Sequence, residues 1–140
     1  MFSVENIRVI RSGEKVLAIF VRRGLPVDGA HFVTSPSDIL QLGVFDRPSG
    51  YTVPAHRHLD LPIKTKKSAE FLYFEKGRAK VTVFDDDWKI AGEETLEAGD
   101  FLLFLDGGHQ VEMLEPTRFM EVKQGPYPGD KKAKVFRDQP

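Results

Sequence analysis

No cysteine occurs in this chain of 140 residues. Its absence excludes a disulfide framework, a thiolate metal site and a cysteine nucleophile, and it fits a reducing compartment. An excess of charge of either sign is lacking as well: 20 Lys and Arg stand against 21 Asp and Glu, for a formal net charge of -1. With a pI near 6.4, no global basic field is present to draw nucleic acid or an anionic membrane. Long hydrophobic runs are also missing. The N-terminal stretch MFSVENIRVIRSGEKVLAIFVRR carries a charge every few residues and offers neither a signal-peptide core nor a membrane span. The expectation is a cytoplasmic protein with no nucleic-acid or membrane partner.

What the chain does contain is typical of one globular domain, 41% hydrophobic and 29% charged residues, expected to span 1–140. At this length about two-thirds of the unfolded chain's surface can be buried, so a core is possible without cross-links. The 11 phenylalanines gather in short runs such as EFLYF and DFLLFL. Such runs between turn signals predict buried strands rather than helices. Strands are expected at 7–11, 15–22, 39–45, 51–58, 70–75, 79–84, 101–105, 109–114 and 119–123, with a short helix after Ser35 as the one helical candidate. Gly, Pro and Asp break the chain between them, at RRGLPVDG, DRPSG, EKGR, FDDDWK, EAGD and LDGG. This rhythm predicts an all-β, antiparallel sandwich or barrel with its core at about 38–124 and a C-terminal arm over 125–140.

Only four histidines are present, and two of them, His56 and His58, stand one residue apart. On a strand, alternate side chains share a face, which puts the two rings about 6.6 Å apart along the backbone. Two imidazoles so placed, joined by a carboxylate and a third imidazole, make the mixed N/O donor set suited to Fe(II), Mn(II), Ni(II) or Zn(II). Glu70 opens the next strand-like run and shares a face with Leu72 and Phe74. A carboxylate on an apolar face is costly unless it is paired or bound to a metal.

Gly50, His56, His58, Glu70 and Gly77 together resemble the first motif of the cupin superfamily, and GDFLLFLDGGHQVEM from Gly99 is similar to the second. The resemblance covers residues 50–113. It implies a double-stranded β-helix, the jelly-roll barrel, whose mouth holds one divalent metal ion (Fe, Mn, Ni or Zn) through His56, His58, Glu70 and His109. It further implies a homodimer and a small-molecule ligand or substrate. LPIKTKKS is then a surface loop between the two ligand strands.

Four protein ligands leave coordination positions for water, substrate or O₂. The leading expectation is binding or transformation of a sugar derivative or hydroxy-carbonyl compound by a proton shift. The alternatives are an Fe(II)-dependent dioxygenase and a non-catalytic ligand-binding or sensor module. Superfamily membership does not choose among them. His31 reads as a surface or structural histidine, and FDDDWK as a solvated hairpin turn. IKTKK reads as a solvated loop, or as a basic cluster able to meet a phosphate or carboxylate near the mouth. Lys123 and Tyr127, in EVKQGPY, are either edge-strand and interface residues or part of a strand ending like those of cupins in surface-sugar biosynthesis.

Overall fold

The computed structural model describes residues 6–126 and 128–137; Tyr127 lies outside the described residues. Ten strands are described: β1 (Ile7–Ser12), β2 (Lys15–Val21), β3 (Gly29–Phe32), β4 (Gly43–Asp46), β5 (Glu70–Lys76), β6 (Arg78–Phe84), β7 (Ile90–Glu97), β8 (Phe101–Phe104), β9 (Gly108–Met113) and β10 (Arg118–Lys123). One short helix, α1 (Asp130–Ala133), follows. The strands form a 5-stranded sheet in the order β1-β2-β8-β5-β10, a 3-stranded sheet β7-β6-β9, and the β3-β4 hairpin, with every pairing antiparallel. The expectation of an antiparallel, all-β protein is met at that level.

The strand parity explains how the layers stack. On β8, Leu102 and Phe104 point into the cluster shared with β6, where Ala79, Val81 and Val83 face them. Its alternate residues Phe101 and Leu103 belong to a second cluster on the back of the large sheet, under Val33, Leu40, Leu42 and Val44. A strand buried on both faces reads as the unbroken apolar run FLLF, not as an alternation. On β2, a bulge between the pairs Ile10↔Ala18 and Arg11↔Val16 leaves Leu17 as an extra residue, so Leu17 and Ala18 both enter the inner cluster. Beyond it Ile19 and Val21 turn to the back. The core therefore reaches back into β1 and β2, beyond the expected 38–124.

The chain crosses from the small sheet to the large one at the corner between β7 and β8, and Asp100 holds that corner. Its buried carboxylate accepts from the backbone N–H of Glu97 (2.8 Å) and of Arg23 (2.9 Å), and from the Arg22 guanidinium (3.0 Å). Arg22 also pairs with Glu94, which faces inward on β7 and meets Arg8 of β1 as well. This network joins the β1 and β7 edges. At the same end Gly77 turns β5 into β6 with φ 95, and a Cβ there would come within 2.5 Å of the Pro116 carbonyl oxygen, so only glycine fits.

Three expectations need correction. The strand expected at 51–58 does not form: residues 47–69 have no strand pairing, and 45–68 are exposed throughout. Pro54 and Pro62 remove backbone donors from this stretch, and its apolar side chains, Val53 and Leu59 among them, meet no core. After Ser35 the chain makes turns in place of a helix; the Gln41 side-chain amide donates to the carbonyls of Ser35 (2.8 Å) and Asp38 (3.0 Å), occupying acceptors that a helix would use. The strand expected at 39–45 shrinks to β4. FDDDWK, by contrast, is the expected turn: the Asp85 carboxylate accepts from the N–H groups of Asp87 (2.9 Å) and Lys89 (3.0 Å).

Truncating Asp100 leaves the backbone N–H groups of Glu97 and Arg23 without their acceptor and removes one acceptor of the Arg22 guanidinium, which keeps Glu94 and the Thr95 carbonyl. Asp100→Ala is expected to cost about 3 kcal/mol in urea denaturation. A loss below about 0.5 kcal/mol, within the range of ordinary surface substitutions, would show that the corner does not depend on this carboxylate.

Candidate functional site

Glu70 and His109 come together at the end of the sandwich opposite the Asp100 corner. Glu70 starts β5 directly opposite Phe104 of β8 and Lys123 of β10, so its side chain shares their inner face. Its position is set from the preceding residue: buried Ala69 donates its N–H to the Gln124 side-chain oxygen at 2.6 Å. His109 is on the other sheet, opposite Val83 of β6, and points toward the same interior. It is delivered there by the turn at Gly107, whose φ of 71 and close approach to the Phe84 carbonyl suit glycine alone.

Across the gap, Nε2 of His109 stands 3.2 Å from Oε2 of Glu70, with the side chains 31% and 16% exposed. The imidazole lies flat on the Phe104 ring, centroids 3.8 Å apart and planes 6° from parallel. That stacking fixes the ring orientation and leaves Nε2 aimed at the carboxylate. The pair offsets the cost of an inward charge that the sequence pattern poses. The His109 ring beside it holds the Glu70 carboxyl below its ordinary value of 4.5; partial burial opposes this, while Lys123 and Lys134 add smaller pulls in the same direction. Lys134 follows α1, so the C-terminal segment bears on the site.

His56 and His58 are elsewhere in character. Both are exposed on the unpaired 51–63 stretch, with ring centroids 5.4 Å apart. Nδ1 of His56 contacts the Pro54 carbonyl oxygen at 2.7 Å. Two of the four expected metal ligands are thus brought together, and the other two sit on an exposed segment. Among the described residues, no group of three or more His, Cys, Asp or Glu is placed to hold a metal ion. The arrangement does not fit a four-donor shell.

Phe104, Gln124 and Lys134 escaped the sequence reading. Phe104 could have been found from its parity, since it is two residues from inward Leu102. Nothing in the sequence announces Lys134, which reaches Glu70 through the return of the C-terminal segment. His31 lies on β3 opposite Val44, outside the site. No protein-family model, curated protein or solved structure matches this chain, so the site is read from its own geometry.

A carboxyl whose folded-state value is depressed contributes stability that is present above its unfolded value and lost as the pH falls through the folded one. Wild type and Glu70→Gln should therefore differ by about 1 kcal/mol in urea denaturation at neutral pH and converge as the pH drops below about 4.5. A constant gap down to about pH 3 would show that the ion pair is not its source.

Proposed function

We propose that this protein is a cupin-like jelly roll that binds a small polar molecule, a sugar derivative or hydroxy-carbonyl compound, against Glu70 and His109, and shifts a proton on it. The observation that carries this reading is the 3.2 Å contact between the two side chains, one from each sheet, at one end of the sandwich. A carboxylate held ionised is a base, and an imidazole N–H beside it is a donor for a developing oxyanion. In such a step the substrate displaces the direct contact, and a carboxylate oxygen of Glu70 takes the proton next to the substrate carbonyl while Nε2 of His109 hydrogen-bonds the carbonyl oxygen. Return of the proton to the former carbonyl carbon, with the hydroxyl proton passing to the former carbonyl oxygen, completes an isomerisation without redox change. Lys123, opposite Glu70 on β10, adds positive charge where the intermediate is negative. The same reading includes a cytoplasmic setting and a homodimer; among the described residues no helix is long and apolar enough to cross a membrane.

A second reading places a divalent metal among His56, His58, Glu70 and His109. Supporting it is the adjacency of the two exposed imidazoles on an unpaired stretch that runs directly into Glu70. It requires that stretch to move, and its chemistry would be Lewis-acid or, with iron and O₂, oxygenase chemistry.

Incubation with hydroxy-carbonyl sugars in D₂O, followed by proton NMR, tests the first reading. Deuterium should enter beside the carbonyl, and Glu70→Gln should slow this by about 10²-fold or more. Ligand retained without exchange would instead indicate a binding or sensor module. Elemental analysis of untagged protein after exposure to Mn, Fe, Ni and Zn tests the second. About one ion per chain, lost in each of His56→Ala, His58→Ala, Glu70→Ala and His109→Ala, is its expected outcome; retention in all four variants rules that ligand set out.

A further inference from the structure

A cavity of about 690 Å³ opens on the back of the large sheet, on the face away from Glu70 and His109. Its floor is apolar. The pairs Val9↔Ile19 and Arg11↔Val16 put these four side chains on the outer face of β1 and β2, and Leu105 and Val33 extend the surface. One wall is the 64–67 stretch, which is tied down where Nζ of Lys67 meets the Asp106 carboxylate at 2.5 Å.

The rim carries an excess of positive charge. Lys15 is already matched by Asp86 at 2.8 Å and by Asp106, which Lys67 shares. Arg11, Lys64 and Lys66 have no ion-pair partner among the described residues. Three acids also line the cavity: Glu14 and Asp38 have no ion-pair partner among the described residues, Asp38 accepting the Ser35 N–H, so the five cations exceed the acids by two. Asp106 sits between two lysines; burial pushes its carboxyl up, and the Lys67 hydrogen bond, the Gly107 N–H and the charges of Lys67 and Lys15 together more than reverse this, so it remains an anion occupied by its neighbours. An apolar floor beneath a rim with a net excess of positive charge, in a volume typical of small-molecule sites, is complementary to an organic anion with a hydrocarbon body.

We propose that this cavity is a binding site for a small amphiphilic anion, its carboxylate or phosphate held by Arg11, Lys64 and Lys66 and its apolar body lying on Val9, Val16 and Ile19. The site is separate from the Glu70–His109 pair and does not depend on the function proposed for it.

Titration calorimetry with octanoate and octyl phosphate tests the assignment, and the tighter of the two identifies the head group. One molecule should bind per chain, and the Lys64→Gln/Lys66→Gln double variant and Arg11→Gln should each weaken binding by about tenfold or more. Inorganic phosphate, which lacks the body, should bind more weakly than octyl phosphate. Glu70→Gln should bind both probes as wild type does. The two lysines are exposed on a stretch without strand pairing, so their double variant carries the test should Arg11→Gln unfold. Absence of binding by both probes at millimolar concentration, unchanged affinity in the lysine variant, or loss of binding in Glu70→Gln would overturn the proposal.

Discussion

A single buried carboxylate sets the relation between the two sheets. Asp100 sits where the chain leaves β7 for β8, and its hydrogen bonds to Glu97, Arg23 and Arg22 define how the small sheet turns onto the large one. Because β8 then runs through the large sheet between β2 and β5, the register of three strands follows from this corner. Glu70 and Phe104 end up opposite each other at the far end of these strands. The contact between Glu70 and His109 needs the sheets at one fixed separation, since its two members have no other covalent or strand connection. A slip of one residue in β5 would turn Glu70 outward and bring Phe71 into its place.

Much of this was legible, and for a definable reason. Strands whose inner face is aliphatic or aromatic, β2, β5, β6 and β8, declare themselves through their side chains. The same parity correctly placed Glu70 among Leu72 and Phe74 and required a partner for it. β7 was invisible because its inward residues are Gly92, Glu94 and Leu96, a pattern with no apolar period. Each exception has a local cause: Gly92 makes room for the Ile10 side chain, and Glu94 is neutralised by Arg8 and Arg22 from β1 and the end of β2. Long-range charge pairing of this kind cannot be read from one segment. β3, GAHF, was missed because it is too short for any periodicity to register.

The histidine stretch failed in the opposite way. YTVPAHRHLDLPI alternates well enough to suggest a strand, and the spacing of His56 and His58 strengthens that impression. Alternation, however, predicts a strand only where a neighbour supplies backbone partners and a core receives one face. Here two prolines interrupt the donors, and the side chains stay exposed. The two halves of the expected ligand set thus obey different physics: Glu70 and His109 are positioned by sheet register, whereas His56 and His58 are placed by a stretch that no ladder constrains. Spacing in the sequence could not distinguish these cases.

The turn over residues 105–109 serves both faces of the large sheet. Leu105 closes the back cluster, Asp106 anchors Lys67 at the edge of the rear cavity, and Gly107 swings the chain so that His109 enters the interior. Within this turn the Gly107 N–H donates to the Asp106 carboxylate at 2.8 Å. The Lys67–Asp106 contact and the stack of His109 on Phe104 thus use residues only three apart in sequence, on opposite faces of the sheet. The 64–67 stretch that this contact secures continues, through Ala69 and its bond to Gln124, into Glu70 itself. Both members of the central pair are thus approached by chain segments that first pass the rear cavity, one on each side of the same ion pair.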